Sequence, residues 1–217
     1  FNPIGSGPFV VTDFRPIDVI SYAAYENYRD ANKPAFATLT LKGGGDAAAA
    51  GRSVLETGEF DYAWNLQLAP DVIAGMEAAG KGTVVASFGT LVERIMVNLS
   101  DPDPALGERR GTVDHPHPFL SDINVRKALS MAIDRELLVE IGYGAAGRVT
   151  CNVLPAPEIY ASSANDSCLV QDIAGANALL DENGIVDTDG DGIREKDGVP
   201  LSMLYQTSTN AVRQDFQ

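Results

Sequence analysis

The stretch Asp122-Ile-Asn-Val-Arg-Lys-Ala-Leu-Ser-Met-Ala-Ile-Asp-Arg135 decides how the chain is read, because its apolar residues fall at helical spacing. Val125, Ala128, Leu129, Ala132, Ile133, Leu137 and Ile141 recur at three- and four-residue steps, which predicts one long helix with a wide apolar face. Asp122 or Asn124 is placed to cap its start, and Gly142 and Gly144 to end it. Such a face needs a layer to pack on.

The flanks supply one. Upstream, Pro34 to Lys42 (PAFATLTLK) alternates apolar and polar residues from Phe36 through Leu41, the period of a half-buried strand, and Gly43-Gly44-Gly45 breaks it. Asp46 then reads as the cap of a helix that runs to Gly58, Phe60 to Leu66 as a strand, and Pro70 as the start of a helix ending at Gly80. Gly82 to Phe88 and Val92 to Leu99 are further strand patterns, and a polar, Pro-rich loop follows from Ser100 to Ser121. Downstream, Arg148 to Leu169 is irregular, Asp172 to Leu180 is a short helix ending near Gly184, and Leu201 to Gln206 has the pattern of a last strand. Strands and helices alternate without an internal repeat, which predicts an α/β (mixed α+β) fold rather than an all-α or all-β one.

Composition bounds the function. The 217 residues are 45% hydrophobic and carry 16 Lys+Arg against 30 Asp+Glu, a formal net charge of −14. That balance gives no electrostatic footprint for a phosphate backbone, so no nucleic-acid partner is expected. No apolar run approaches the ~18 residues of a membrane span. Phe1 is not an initiator Met, and Asn210 to Gln217 reads as a helical start with no stop signal, so the chain is expected to be a piece of a longer polypeptide.

Cys151 and Cys168 are the only cysteines, both in irregular polar sequence. A disulfide is the favoured reading, against two free thiols; it would contribute roughly 3 kcal/mol by restricting the unfolded chain and imply an oxidising compartment. Their spacing excludes a CxxC pair. Asp187-Thr-Asp-Gly-Asp-Gly-Ile-Arg-Glu-Lys-Asp-Gly198 begins like an EF-hand loop, with Asp187, Asp189 and Asp191 at positions one, three and five and Gly192 at six. Three converging carboxylates repel unless a cation such as calcium neutralises them. The pattern then departs, with Gly198 where a bidentate Glu belongs. The competing reading is a turn in which the Asp side chains bond their own backbone amides. His115-Pro-His117 lacks a third ligand and reads as loop, and Asn98-Leu-Ser and Asn165-Asp-Ser fit the glycosylation triplet, a frequent chance pattern. No GxSxG, HExxH or Walker sequence is present. No enzyme activity is expected.

Trp64, the single tryptophan, is followed by Asn65 and Gln67. An aromatic platform beside amides suits a peptide or a sugar; the alternative is a core indole with its N–H satisfied.

Taken together, Ile4-Gly-Ser-Gly-Pro-Phe9, Val54 to Gln67 (VLETGEFDYAWNLQ), Val92 to Asn98 (VERIMVN), His117 to Arg135 and Asp187 to Gly198 resemble the peptide/nickel-type solute-binding proteins that serve ABC importers. The segments occur in the family's order over nearly the whole chain, and the helix stretch is the most specific of them. The resemblance implies a periplasmic or extracellular receptor, lipid-anchored in some forms, whose two lobes close on a peptide or similar small polar solute and deliver it to a membrane permease. Residues 1–217 would then be a single lobe, the C-terminal one, with a mixed sheet flanked by helices, residues 1–10 next to the hinge, and the N-terminal lobe missing. Trp64, Asn65, Asn98 and Arg94 are the candidate ligand contacts, while Arg126 and Arg135 are expected as surface or structural ion-pair residues. A calcium-dependent extracellular interaction module and, behind it, a hydrolase are the rival readings.

Overall fold

The computed structural model describes residues 4–217, which form two compact units, one up to Leu66 and one from Gln67 onward. Residues 1–3, part of the segment expected beside a hinge, lie outside the described residues. The expected mixture of helices and strands is present in both units.

In the first unit, β1 (Phe9–Arg15), β2 (Val19–Ala24) and β3 (Thr38–Lys42) form an antiparallel sheet in that order. The β1–β2 turn puts Ile17 at φ +65° and points the Asp18 carboxylate at Arg15, 2.9 Å away, and at Lys42. The Lys42 ammonium holds the Asp18 carboxyl below its usual range. Gly44 (φ +82°) passes so close to the Ile17 carbonyl that a side chain there would be driven into it. Helix α1 (Ala47–Leu55) starts as its sequence dictates, the Asp46 Oδ1 accepting from the Ala49 N–H at 2.7 Å, and buries Leu55.

The second unit holds the main core: Phe119, Leu120, Val125 and Ile185, with Leu129, Leu180 and Leu201 packed against them. Helix α2 (Pro70–Glu77) begins at its proline. The long helix is in fact two, α3 (Ile123–Ala132) and α4 (Arg135–Gly142). Ile133 turns extended (ψ 125°), and the Asp134 Oδ1 accepts from the Leu137 N–H at 3.0 Å, recapping a fresh helix inside the periodic run. Helix α5 (Ile173–Glu182), capped by Asp172, packs on α3. A minimal hairpin, β4 (Glu195–Lys196) and β5 (Val199–Pro200), turns through Asp197 and Gly198, both at positive φ. The chain ends in α6 (Ala211–Asp215), against α4.

Four strand patterns are not paired. Phe60 to Leu66, Gly82 to Phe88, Val92 to Leu99 and Leu201 to Gln206 run as irregular chain, without a sheet partner among the described residues. A strand needs a neighbour for its amides as well as the right periodicity, and none is in reach.

Candidate functional site

Trp64 and Asn65 lie in the first unit, after α1. Trp64 is 71% exposed, so its indole is a surface platform and not core packing, and Asn65 sits exposed at φ +55°. Arg94 and Asn98 belong to the second unit, on the unpaired segment Val92 to Leu99. Arg94 is exposed and reaches only the Val92 carbonyl, at 3.4 Å. Asn98 is exposed too, but its Oδ1 accepts from the Ser100 N–H (3.1 Å) and hydroxyl (2.8 Å), turning the chain into the Pro-rich loop. The four therefore fall as two pairs along the chain, one pair in each unit. Arg126 and Arg135 have structural partners, but these are neutral acceptors and not the expected ion-pair carboxylates: Arg126 donates to the Leu120 and Ser121 carbonyls, and Arg135 to the Ser130 carbonyl and hydroxyl, all at 2.8 Å.

Beside Arg94 lies a network that sequence reasoning missed. The Glu93 carboxylate accepts from the Tyr143 hydroxyl (2.8 Å) and from the Arg213 guanidinium through Nε (3.0 Å) and Nη2 (3.1 Å). Burial, reinforced by the Glu93 charge, pushes the Tyr143 hydroxyl up to about 12. Gln67 bonds the same tyrosine and accepts from the Asn210 amide at 3.1 Å. These groups stand 50 and 120 positions from Glu93, and no local pattern announces them. They fasten the segment that carries Arg94 to α4 and α6.

The acidic loop is built as the self-bonded turn that was one of its two readings. Asp187 takes the Gly190 N–H on Oδ1 (2.6 Å) and the Gly192 N–H on Oδ2 (2.9 Å), and these donors hold its carboxyl below the usual range. Asp189 and Asp191 bond the amides two residues on. Yet one oxygen each from Asp187, Asp189, Asp191 and Glu195 also lies within 4.8 Å of the others, the separation that ligands of a common cation require. Glu195, at position nine and not twelve, was overlooked; it is 8% exposed and accepts from the Thr188 N–H and hydroxyl. Lys196 pairs with Asp122 at 3.3 Å, and Arg194 bonds Asp181 and the Ile185 carbonyl, so the loop is anchored to α3 and α5.

Cys151 and Cys168 are joined in a disulfide, as the favoured reading expected. An open pocket of about 270 Å³ lies beside it, lined by Arg148, Thr150, Asn152, Glu158 and Asp166 among others. His117 is a buried loop residue. Its Nδ1 accepts from the Leu120 and Phe119 N–H groups at 3.0 and 3.3 Å, and burial depresses its pKa. No helix among the described residues is long and apolar enough to cross a membrane.

Comparison with known proteins agrees along the whole chain. Protein XP55 of Streptomyces lividans is 29% identical over 220 residues, 99% of this chain and 35% of that protein. The oligopeptide-binding protein AppA of Bacillus subtilis is 28% identical over 219 residues, 99% of this chain and 36% of that one. The crystal structure of NikA from Brucella suis in complex with Fe(III)-EDTA superposes with a TM-score of 0.64 at 22% identity, over 99% of this chain and 40% of that chain, and so shares its fold. The chain thus spans about a third of the length of the curated relatives it matches. Residues 1–217 match the family described as bacterial extracellular solute-binding proteins, family 5 Middle, and the chain belongs to that family.

Proposed function

We propose that the chain is part of the extracytoplasmic solute receptor of an ABC importer, which captures peptides or a similar small polar solute and hands it to a membrane permease. The match to a family of extracellular solute-binding proteins over all 217 residues carries this reading. An oligopeptide-binding relative favours peptides, and the NikA complex with Fe(III)-EDTA keeps metal chelates as a second solute class. On this reading the 217 residues belong to one lobe, and the lobe missing here supplies the rest of the cleft. Binding comes from closure, hydrogen bonds to the solute backbone and an aromatic wall that excludes water, with no covalent chemistry. Trp64 is the proposed wall, with Asn65, Asn98 and Arg94 as polar contacts. The exposed indole and the fastening of the Arg94 segment through Glu93 support these roles. The disulfide supports a compartment outside the cytoplasm, with a lipid anchor as one means of retention there.

The test is calorimetry of the full-length receptor against a peptide mixture and against Fe(III)-EDTA. Micromolar or tighter binding of either is expected, with no measurable binding by the 217 residues alone. Tight binding by the 217 residues alone would refute the two-lobe account. Calcium at the acidic loop is a separate reading, supported by the four clustered carboxylates, and calcium titration decides it.

A further inference from the structure

We infer that the open pocket beside the disulfide is a binding site for a small basic amino acid, separate from the solute contacts proposed above. Its wall is held in shape by several cross-links. The Cys151–Cys168 bond closes the loop, the Asn152 Oδ1 accepts from the Ser162 N–H at 3.0 Å, and the short helical turns Glu158–Tyr160 and Ser163–Leu169 stiffen the stretch between. A cavity formed before its ligand arrives binds without the cost of ordering its wall. The pocket also gathers opposite charges without pairing them. Arg148, Glu158 and Asp166 all line it, yet no ion pair joins any of them to another side chain among the described residues. Comparable exposed charges elsewhere do pair, Arg52 with Glu56 and Arg15 with Asp18. The Arg148 guanidinium rests instead on the Phe88 ring, 5.0 Å from its centroid, a contact that places the group and leaves its N–H donors for a ligand.

The occupant follows from size, charge and donor set. At about 270 Å³ the pocket lies below the roughly 300–1,000 Å³ of sites that enclose a drug-sized ligand, so it suits one amino acid and not a peptide. One guanidinium and two carboxylates leave the lining with an excess negative charge, complementary to a ligand with two ammonium groups and one carboxylate. The Arg148 fork suits the ligand carboxylate, with the Thr150 hydroxyl and the Asn152 amide as neutral donors, while Glu158 and Asp166 suit the ammonium groups. The net charge of −14 draws such a cation in. Trp64, Asn65, Arg94 and Asn98 do not line this pocket, so the inference does not need the receptor reading.

Calorimetry of the full-length protein with L-lysine tests it, with acetate and butylamine as half-ligands. L-Lysine is expected to bind, and each half-ligand to bind at least about 10-fold more weakly, the effect of losing a charge-assisted contact. Arg148→Gln and Glu158→Gln each weaken L-lysine at least about 10-fold on the same ground, while Trp64→Ala and Arg94→Gln leave its affinity unchanged. In the parent protein L-lysine slows hydrogen exchange across residues 148–169, a readout that needs no variant. Absence of L-lysine binding, binding without that slowing, or binding indifferent to both pocket variants overturns the inference. Half-ligands as tight as L-lysine would reduce the pocket to a simple ion site, and loss of binding in Trp64→Ala or Arg94→Gln would assign L-lysine to the proposed solute contacts; either overturns it as well.

Discussion

His117→Ala removes the single acceptor shared by two buried amides. Phe119 and Leu120 are 3% and 5% exposed, and their N–H groups point at the His117 Nδ1, so water does not readily replace the ring. Orphaning a buried donor costs about 1–3 kcal/mol. The 3.0 Å bond to Leu120 is good and the 3.3 Å bond to Phe119 is weak, which places the pair near 2 kcal/mol on that scale. The edge-on contact with the Phe119 ring, centroids 4.5 Å apart, adds roughly 1 kcal/mol. The expected loss is therefore about 3 kcal/mol for His117→Ala by urea unfolding followed by circular dichroism, with His117→Asn recovering part of it because its Oδ1 is again an acceptor. The pH dependence supplies a second reading. Only the neutral ring accepts at Nδ1, and the folded pKa lies below the ordinary 6.5, with burial the main cause and the Asp101 charge opposing it. The unfolded chain then binds more protons than the folded one as pH drops below 6.5, so this contribution is complete above 6.5 and declines from there towards the folded pKa. His117→Asn abolishes that decline. A loss under about 0.5 kcal/mol for His117→Ala, or an unchanged pH slope in His117→Asn, would refute the capping role.

Four further outcomes are expected. Gly142→Ala pushes a methyl into the Phe216 ring and to 3.0 Å from a Val212 methyl, and costs about 1–3 kcal/mol in thermal or urea unfolding, with Phe216→Ala relieving part of the clash. Glu93→Gln lowers the Tyr143 titration from about 12 part of the way towards 10, because burial outweighs the removed charge; ultraviolet titration reads it. Replacing Cys151 and Cys168 together by Ser costs roughly 3 kcal/mol, and intact mass of the parent chain rises by two hydrogens on reduction. If a cation occupies the acidic loop, calcium raises and chelator lowers the melting temperature, and Asp189→Ala erases the difference; a melting temperature indifferent to both leaves the loop a self-bonded turn.

Local signals were legible where chemistry is local. Asp46, Asp122 and Asp172 each cap the helix their position announces, and Thr38 to Lys42 is the strand its alternation predicts. The β1–β2 hairpin escaped notice because a register shift between Val11 and Asp13 breaks the two-residue period that betrays a strand. The single long helix was wrong at Asp134, where a side chain in mid-run bonds forward to Leu137 and outweighs continuous periodicity. Trp64 and Asn65 could be nominated from composition alone, but the Glu93–Tyr143–Arg213 network required distant parts of the chain to meet. Glu195 joins the cluster from the ninth place of a loop whose EF-hand pattern puts the acidic ligand at the twelfth, so the motif does not announce it.

The exposure of Trp64 has a practical consequence. Because it is the only tryptophan, excitation near the red edge of protein absorption selects one indole that faces water. Its emission should sit at long wavelength and be quenched freely by iodide or acrylamide. Whatever covers that ring will shift the colour and shield it from quencher, so the native chain carries its own optical reporter, without a label.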